Sequence, residues 1–357
     1  AVIIMWIGTF VIPTDIPTHI EIHFDILEGS IPMKPHFLYY LTLGLASGFS
    51  SNLFFVSVVA IGLLSIFTWL RFRFYVQEYE VLVDKDRRMD VWILAFSMLI
   101  MFNLPPGVTA TMKLGQISPT QWHNSTWVFA MPFILGLFKY SIRTSQNYVH
   151  SDLIMSMVLV VLGILAKPNY FLGFSVAYAL FILLEKSNLR EKIAPLSILA
   201  VGSFTLLSQF VYYYGKSDST ASIKLSPFES WEVWSDNLLI SLIVSILGPL
   251  VFLLMYPKRN WQIKELKLAW MVFVASMIVF VLFSDYKGGA VSKGNNFLWG
   301  PAMALNVLFY AIIKEIYSIW KVEGWSNRKL RWVILIFSLH VLSGALYLLK
   351  YPFLGYR

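Results

Sequence analysis

The sequence predicts an all-α, polytopic integral membrane protein of about eleven transmembrane helices, with interfacial helices in its first outer loop. Three observations carry this. Of 357 residues, 57% are hydrophobic and only 13% are charged, against about 45–50% and about 25% in soluble domains. Mean hydropathy is +0.66. Apolar runs long enough to approach a bilayer span recur between charged or Pro/Gly-rich breaks. A soluble enzyme, a disordered chain and a DNA-binding domain are thereby excluded. The chain has no cysteine, so disulfides, thiolate metal sites and a cysteine nucleophile are excluded as well.

The apolar runs cover roughly 1–12, 52–70, 90–104, 125–139, 151–166, 169–185, 193–213, 238–256, 267–284, 297–314 and 331–349. The first begins at Ala1, already inside an apolar stretch, and reads as a span cut short; no cleavable signal peptide is found. The run HFLYYLTLGLASGF (36–49) is too short to cross unaided and carries His36, so an interfacial helix is expected there.

Counting Lys and Arg in alternate connections puts nineteen on one side and nine on the other, which accounts for all 28. The positive-inside rule makes the first side cytoplasmic, the N-terminus with it. That side, which includes Arg71 and Arg73, also carries eleven of the 20 acidic residues, so it holds the whole +8 excess and the outer face is neutral. The excess therefore sets topology and implies no nucleic-acid partner. The expectation is one transmembrane domain over 1–357, with outer loops at 13–51, 105–124 and 285–296. No internal repeat supports a two-halves transporter. The short inner connections, 76–90 and 321–331, read as solvated links.

Unusual residues collect outside, where four of the six histidines lie (His19, His23, His36 and His123). In PTDIPTHIEIHFDILEGSIPMKPH (13–36), Asp15, His19 and His23 share one face of a helix that Asp15 could cap. A carboxylate where a span leaves the membrane suits a general base for an acceptor hydroxyl; the bland alternative is a cap with two interfacial histidines. A divalent metal is chemically allowed by these donors, but three successive turns spread over about 12 Å, too far for one ion.

The second outer loop offers Lys113, Gln116, Trp122, His123 and Asn124 in a short polar stretch. An indole, amides and a cation suit a sugar ring and a phosphate, or else form an ordinary aromatic belt. Asn124-Ser125-Thr126 is a formal glycosylation sequon, read as chance because it abuts a span. Lys167-Pro168-Asn169 turns between two spans, with Lys167 directed to lipid phosphate or to a substrate phosphate. The turn 284–300 sets Asp285 among Lys287, Lys293, glycines and asparagines, whose amides could cradle phosphate. The loop 214–237 reads as exposed, with Trp231 and Trp234 at the interface. His340 reads as a packing residue, and the scarcity of charge within the spans argues against an ion-coupled pump.

The layout resembles the GT-C superfamily of membrane glycosyltransferases. The features carrying the likeness are a first span, then a long outer loop with Asp15 just past it and a helix beginning PHFLYY (35–40), together with GQISPTQWHNST (115–126), KPNYFLGF (167–174) and GNNFLWG (294–300). The resemblance implies a polyprenyl-phosphate sugar donor, a hydroxyl acceptor on a glycan, lipid or cell-surface polymer, and no nucleotide site. It implies Asp15 as base, His19 and His123 orienting the substrates, and Lys113, Lys167 and Lys287 against the lipid phosphate, in a bacterial plasma membrane. The chain lacks a DxD at the start of the loop, which leaves Asp15, Glu21 and Asp25 as alternative bases. Only 350–357 follow the last run, so acceptor recognition is expected from the loops. Two rivals stand beside this reading. A polysaccharide polymerase or ligase would carry outer arginines, whereas every arginine but Arg357 is assigned to the cytoplasm. A lipid-linked sugar flippase would carry its cations inside a central cavity.

Overall fold

The structure, a computed structural model, describes all residues except 12–13, 35, 105–115, 186–188, 215–220, 293–295 and 351–357. Among the described residues the helices are α1 (Val2–Phe10), α2 (Asp15–Leu27), α3 (Phe37–Ala46), α4 (Leu53–Glu80), α5 (Arg88–Ile100), α6 (Ser125–Gln146), α7 (His150–Ala166) and α8 (Asn169–Leu184). They continue with α9 (Leu189–Tyr214), α10 (Glu229–Glu232), α11 (Leu238–Met255), α12 (Pro257–Gln262), α13 (Lys264–Leu282), α14 (Trp299–Glu323) and α15 (Arg328–Lys350). A small antiparallel sheet of β1 (Ala221–Leu225), β2 (Phe283–Lys287) and β3 (Ala290–Val291) joins two of the connections.

Each of the eleven apolar runs holds a helix, but they differ in reach. Seven helices are long and apolar enough to cross a membrane: α4, α6, α9, α11, α13, α14 and α15. The bent pair α1 and α2, meeting at 71°, makes an eighth if taken as one broken span. The helices α7 and α8 have 17 and 16 residues and α5 has 13, so length does not carry them across as the run count expected. The run 36–49, expected to form an interfacial helix, holds the short helix α3, ten residues long.

Asparagine side chains start four of the long helices, Asn327 doing so for α15 by accepting from Leu330 N at 3.1 Å. Asn52, Asn124 and Asn237 each accept a hydrogen bond from the backbone N–H three residues on, at 2.9, 2.9 and 3.0 Å. Helix α14 is the axis of the bundle, since every residue from Gly300 to Ile313 is buried, as expected of a helix apolar all round. Its one amide in that stretch, Asn306, accepts from Tyr75 of α4 at 2.7 Å and donates to Pro119 O at 2.8 Å. Helices α4 and α6 run parallel: Phe67 packs on Phe129 at 4.1 Å, and further along Glu78 pairs with Lys139 at 2.6 Å. Helix α4 therefore extends roughly 15 Å past the start of α6.

One end of the bundle gathers a set of ion pairs. Glu78 and Glu265 clasp Lys314, Glu185 takes Lys264 and Lys267, Asp152 takes Arg143, Glu315 takes Arg259 and Asp84 takes Lys321. The inner connections are thus tied into the bundle rather than merely solvated. In particular, 76–80 continues α4, with Tyr79 buried. Arg71 is also misassigned by counting it in a loop: it lies within α4 and is 2% exposed.

The second outer loop is a further correction. Residues 116–124 are non-helical and, apart from half-buried His123, buried. They thread into the bundle with 101–104. Leu104 N donates to Val244 O at 3.0 Å and Ile117 N to the Ser245 hydroxyl at 2.9 Å, while Phe102 N donates to His340 O at 3.2 Å. His340 behaves as a packing residue: Nδ1 bonds Phe102 O at 2.7 Å, and Nε2 accepts from Gly248 N at 3.1 Å. The 214–237 connection is not simply exposed either. Part of it is β1, and Trp231 is buried against Phe280 at 5.3 Å; Trp234 is half-buried.

A Cβ at Gly344 would overlap the Ile100 carbonyl, whereas a Cβ at Gly62 would meet nothing within 4 Å. Gly344→Ala should therefore lower stability by about 1–3 kcal/mol or prevent folding, and Gly62→Ala should be neutral or slightly stabilising. Thermal unfolding in detergent compares the two; equal melting temperatures would refute the tight threading of 100–104.

Candidate functional site

Three elements meet at the end of the bundle away from the ion pairs. Thr14 caps α2, its hydroxyl accepting from Ile16 N at 3.2 Å. Asp15 therefore sits in the first turn of α2, where the helix dipole favours negative charge. The capping residue is Thr14 rather than Asp15, which leaves the Asp15 carboxylate free of that task. Asn124 caps α6, and Lys167 follows α7 in the turn to α8.

Asn124 joins the three. The cap holds its Oδ1 against the α6 backbone, so its Nδ2 is left to donate to Asp15 Oδ2, at 2.8 Å. The same Oδ1 accepts from Lys167 Nζ at 3.2 Å and from the Thr126 hydroxyl at 3.0 Å, and Lys167 also donates to Thr126 at 2.7 Å. Lys167 is 5% exposed and lies 4.8 Å from the centre of the Trp299 ring, with the His123 imidazole 6.2 Å from the same indole. Burial pushes the Lys167 ammonium down from its ordinary 10.5 to about 7, with Asp15 pulling the other way. No ion pair among the described residues joins Asp15 to Lys167. The amide stands between them.

A second chain of contacts leads off α2. His19 Nδ1 is 2.7 Å from the Tyr40 hydroxyl, which is 3.3 Å from His36 Nε2. Burial, and then the neighbouring cations led by Lys167, hold His36 well below its usual value. Across Trp299, Asn169 donates to Asn296 O at 2.8 Å, and Asn296 donates to Asp285 Oδ2, also at 2.8 Å. The other oxygen of Asp285 is buried with no partner.

The structure thus brings together Asp15, His19, Asn124 and Lys167, with His123 close by, and sets Asn169 and Asp285 beside them. Of the three candidate bases, Asp15 is the one bonded to Asn124; Glu21 is exposed. Other residues are placed elsewhere. His23 is buried against α3, where its ring would sit 3.1 Å from a Cβ at Gly44. Gln116 is held by Asn103 inside the bundle, and Trp122 faces Arg71. Lys113 and Lys293 lie outside the described residues, as does the side chain of Lys287. Among the described residues no three His, Asp or Glu gather as a metal site, so Asp15, His19 and His23 do not form one.

Thr126, Trp299, His36 and Tyr40 were not singled out for the site from sequence. Thr126 had a signal, because an asparagine just before an apolar run marks a helix start and directs its neighbours. The sequon at Asn124 is sequestered, since the residue is 4% exposed and its Nδ2 is bonded to Asp15.

Asn124→Ala removes a cap and leaves Lys167 and Asp15 without their common partner, which should cost about 1–3 kcal/mol; a thermal scan against wild type measures it. No family model matches the chain, and no curated protein or solved structure shows a significant match to it.

Proposed function

We propose that the chain is a membrane glycosyltransferase of the GT-C type. It would transfer a sugar from a polyprenyl-phosphate donor to a hydroxyl on a glycan, lipid or surface polymer, with inversion. The supporting observation is the acid–amide–ammonium row of Asp15, Asn124 and Lys167. A direct ion pair would commit the carboxylate and the ammonium to each other. With Asn124 between them, one Asp15 oxygen is anchored and the other is left for a proton, while Lys167 keeps a donor for an oxyanion.

In this reading the acceptor O–H gives its proton to Asp15 Oδ1, and the oxygen attacks the anomeric carbon. The bond from that carbon to the phosphate oxygen breaks, and the departing phosphate gathers charge against Lys167. Trp299 and His123 offer flat surface to the sugar ring. His19, tied to Tyr40 and His36, orients the acceptor. The eleven helical runs give the span number of the superfamily if α1, α5, α7 and α8 cross with the seven longer helices. The basic end would then be cytoplasmic, with the N-terminus, and the site would open on the outer face of a plasma membrane.

A flippase remains the second reading, because it expects a cation inside the bundle and Arg71 is one. Transport that survives loss of Asp15 would favour it.

Asp15→Asn should reduce transfer from a short-chain polyprenyl-phosphate sugar by about 10²–10⁴-fold with melting unchanged, and full activity in that variant would remove Asp15 from the mechanism. The donor's phosphate should bind the protonated Lys167. With that group near 7, donor affinity should be level below neutral pH and fall about tenfold per unit above it. A donor titration from pH 6 to 9 that stays flat would contradict the assignment.

A further inference from the structure

Arg71 is a buried cation with no anion. It is 2% exposed, and its guanidinium lies 5.7 Å from the ring centre of Trp122 and 5.2 Å from that of Trp127. No ion pair among the described residues includes it. Its Nε has no hydrogen-bond partner, and neither has the indole Nε1 of Trp127. Nearby polar groups are committed: Tyr75 donates to Asn306, and Glu78 is held by Lys139, Lys314 and Tyr310.

A guanidinium stays charged at any working pH. Contacts with two indoles offset part of its desolvation but give its N–H groups no acceptor. Two adjacent side chains therefore present buried donors only, one of them permanently cationic, and such a set is complemented by an anion with oxygen acceptors. Trp122 also lines an apolar cavity of about 240 Å³ between α1, α4, α5 and α15, with Ile4, Phe72, Phe96, Leu99 and Leu348. A hydrocarbon chain suits that lining. The segment 122–127 thus has different partners on its two sides: Trp122 and Trp127 meet Arg71, whereas Asn124 and Thr126 meet Lys167.

We propose that Arg71 and the Trp127 N–H form a second anion site, separate from Lys167, which takes the phosphate oxyanion of a ligand. The site does not depend on the glycosyl-transfer reading, because it uses neither Asp15 nor Lys167.

The test is binding of dodecyl phosphate and of inorganic phosphate to the purified full chain in a neutral maltoside detergent, read by phosphorus NMR line broadening. Wild type should bind dodecyl phosphate, Arg71→Gln should weaken it at least tenfold, and Trp127→Phe should weaken it severalfold with melting unchanged. Competition by millimolar inorganic phosphate would assign the site to free phosphate, and its failure to compete would assign it to a chain-bearing lipid. If Arg71→Gln does not fold, Trp127→Phe decides alone. Wild type that binds neither probe, or variants that bind like wild type, would overturn the site and leave Arg71 as a peg between two indoles.

Discussion

A peptide backbone removed from water needs partners for its N–H and C=O groups, and the non-helical run 116–124 finds several of them inside a bundle of helices. Its partners are supplied by helices whose own ladders are opened or side-bonded. In α11, Gly248 N donates to His340 Nε2 instead of along the helix, Val244 O accepts from Leu104 N, and the Ser245 hydroxyl accepts from Ile117 N. Asn306 on the central helix reaches Pro119 O, and Asn124 closes the run by capping α6. Non-helical chain at this depth is tolerated because it is enclosed by protein. The site follows from it, since Asn124 is both the last residue of the run and the hinge of the acid–amide–ammonium row.

The helices were legible because hydrophobic runs report directly on burial or lipid contact. Each of the eleven holds a helix, and the short aromatic run holds α3. Reach was less legible. Runs such as 151–166 and 169–185 have clear apolar character, but composition does not reveal where a neighbouring turn folds inward. The 116–124 stretch misled for the same reason: its proline and amides have the chemistry of an exposed turn, yet Gln116, Pro119 O and Asn124 find partners inside the protein. Arg71 shows the limit of charge counting. It stands two residues before Arg73 in sequence, but 71, 75 and 79 form one helical face turned inward.

The candidate site was partly readable. Asp15, Asn124 and Lys167 were each notable for their chemistry, but separations of 43 and 109 residues between bonded partners are set by packing alone. Trp299 belongs to the axis helix, and nothing in its local sequence announces that it faces Lys167. His23 had the spacing of a site residue and was lost to the contact between α2 and α3. The two ends of the molecule use charge differently. At one end carboxylates neutralise lysines and arginines and lock helices together. At the other an amide keeps opposite charges apart.

The shortness of α7 and α8 has a mechanical consequence. At about 1.5 Å per residue, helices of this length rise roughly 25 Å, less than a hydrocarbon core of about 30 Å. If they cross, the lipids around the turn carrying Lys167 must sink toward it, or the turn must stay submerged. In the first case the leaflet would be dimpled there, and in either case the thickness of the surrounding bilayer would become a variable to which this corner of the protein responds.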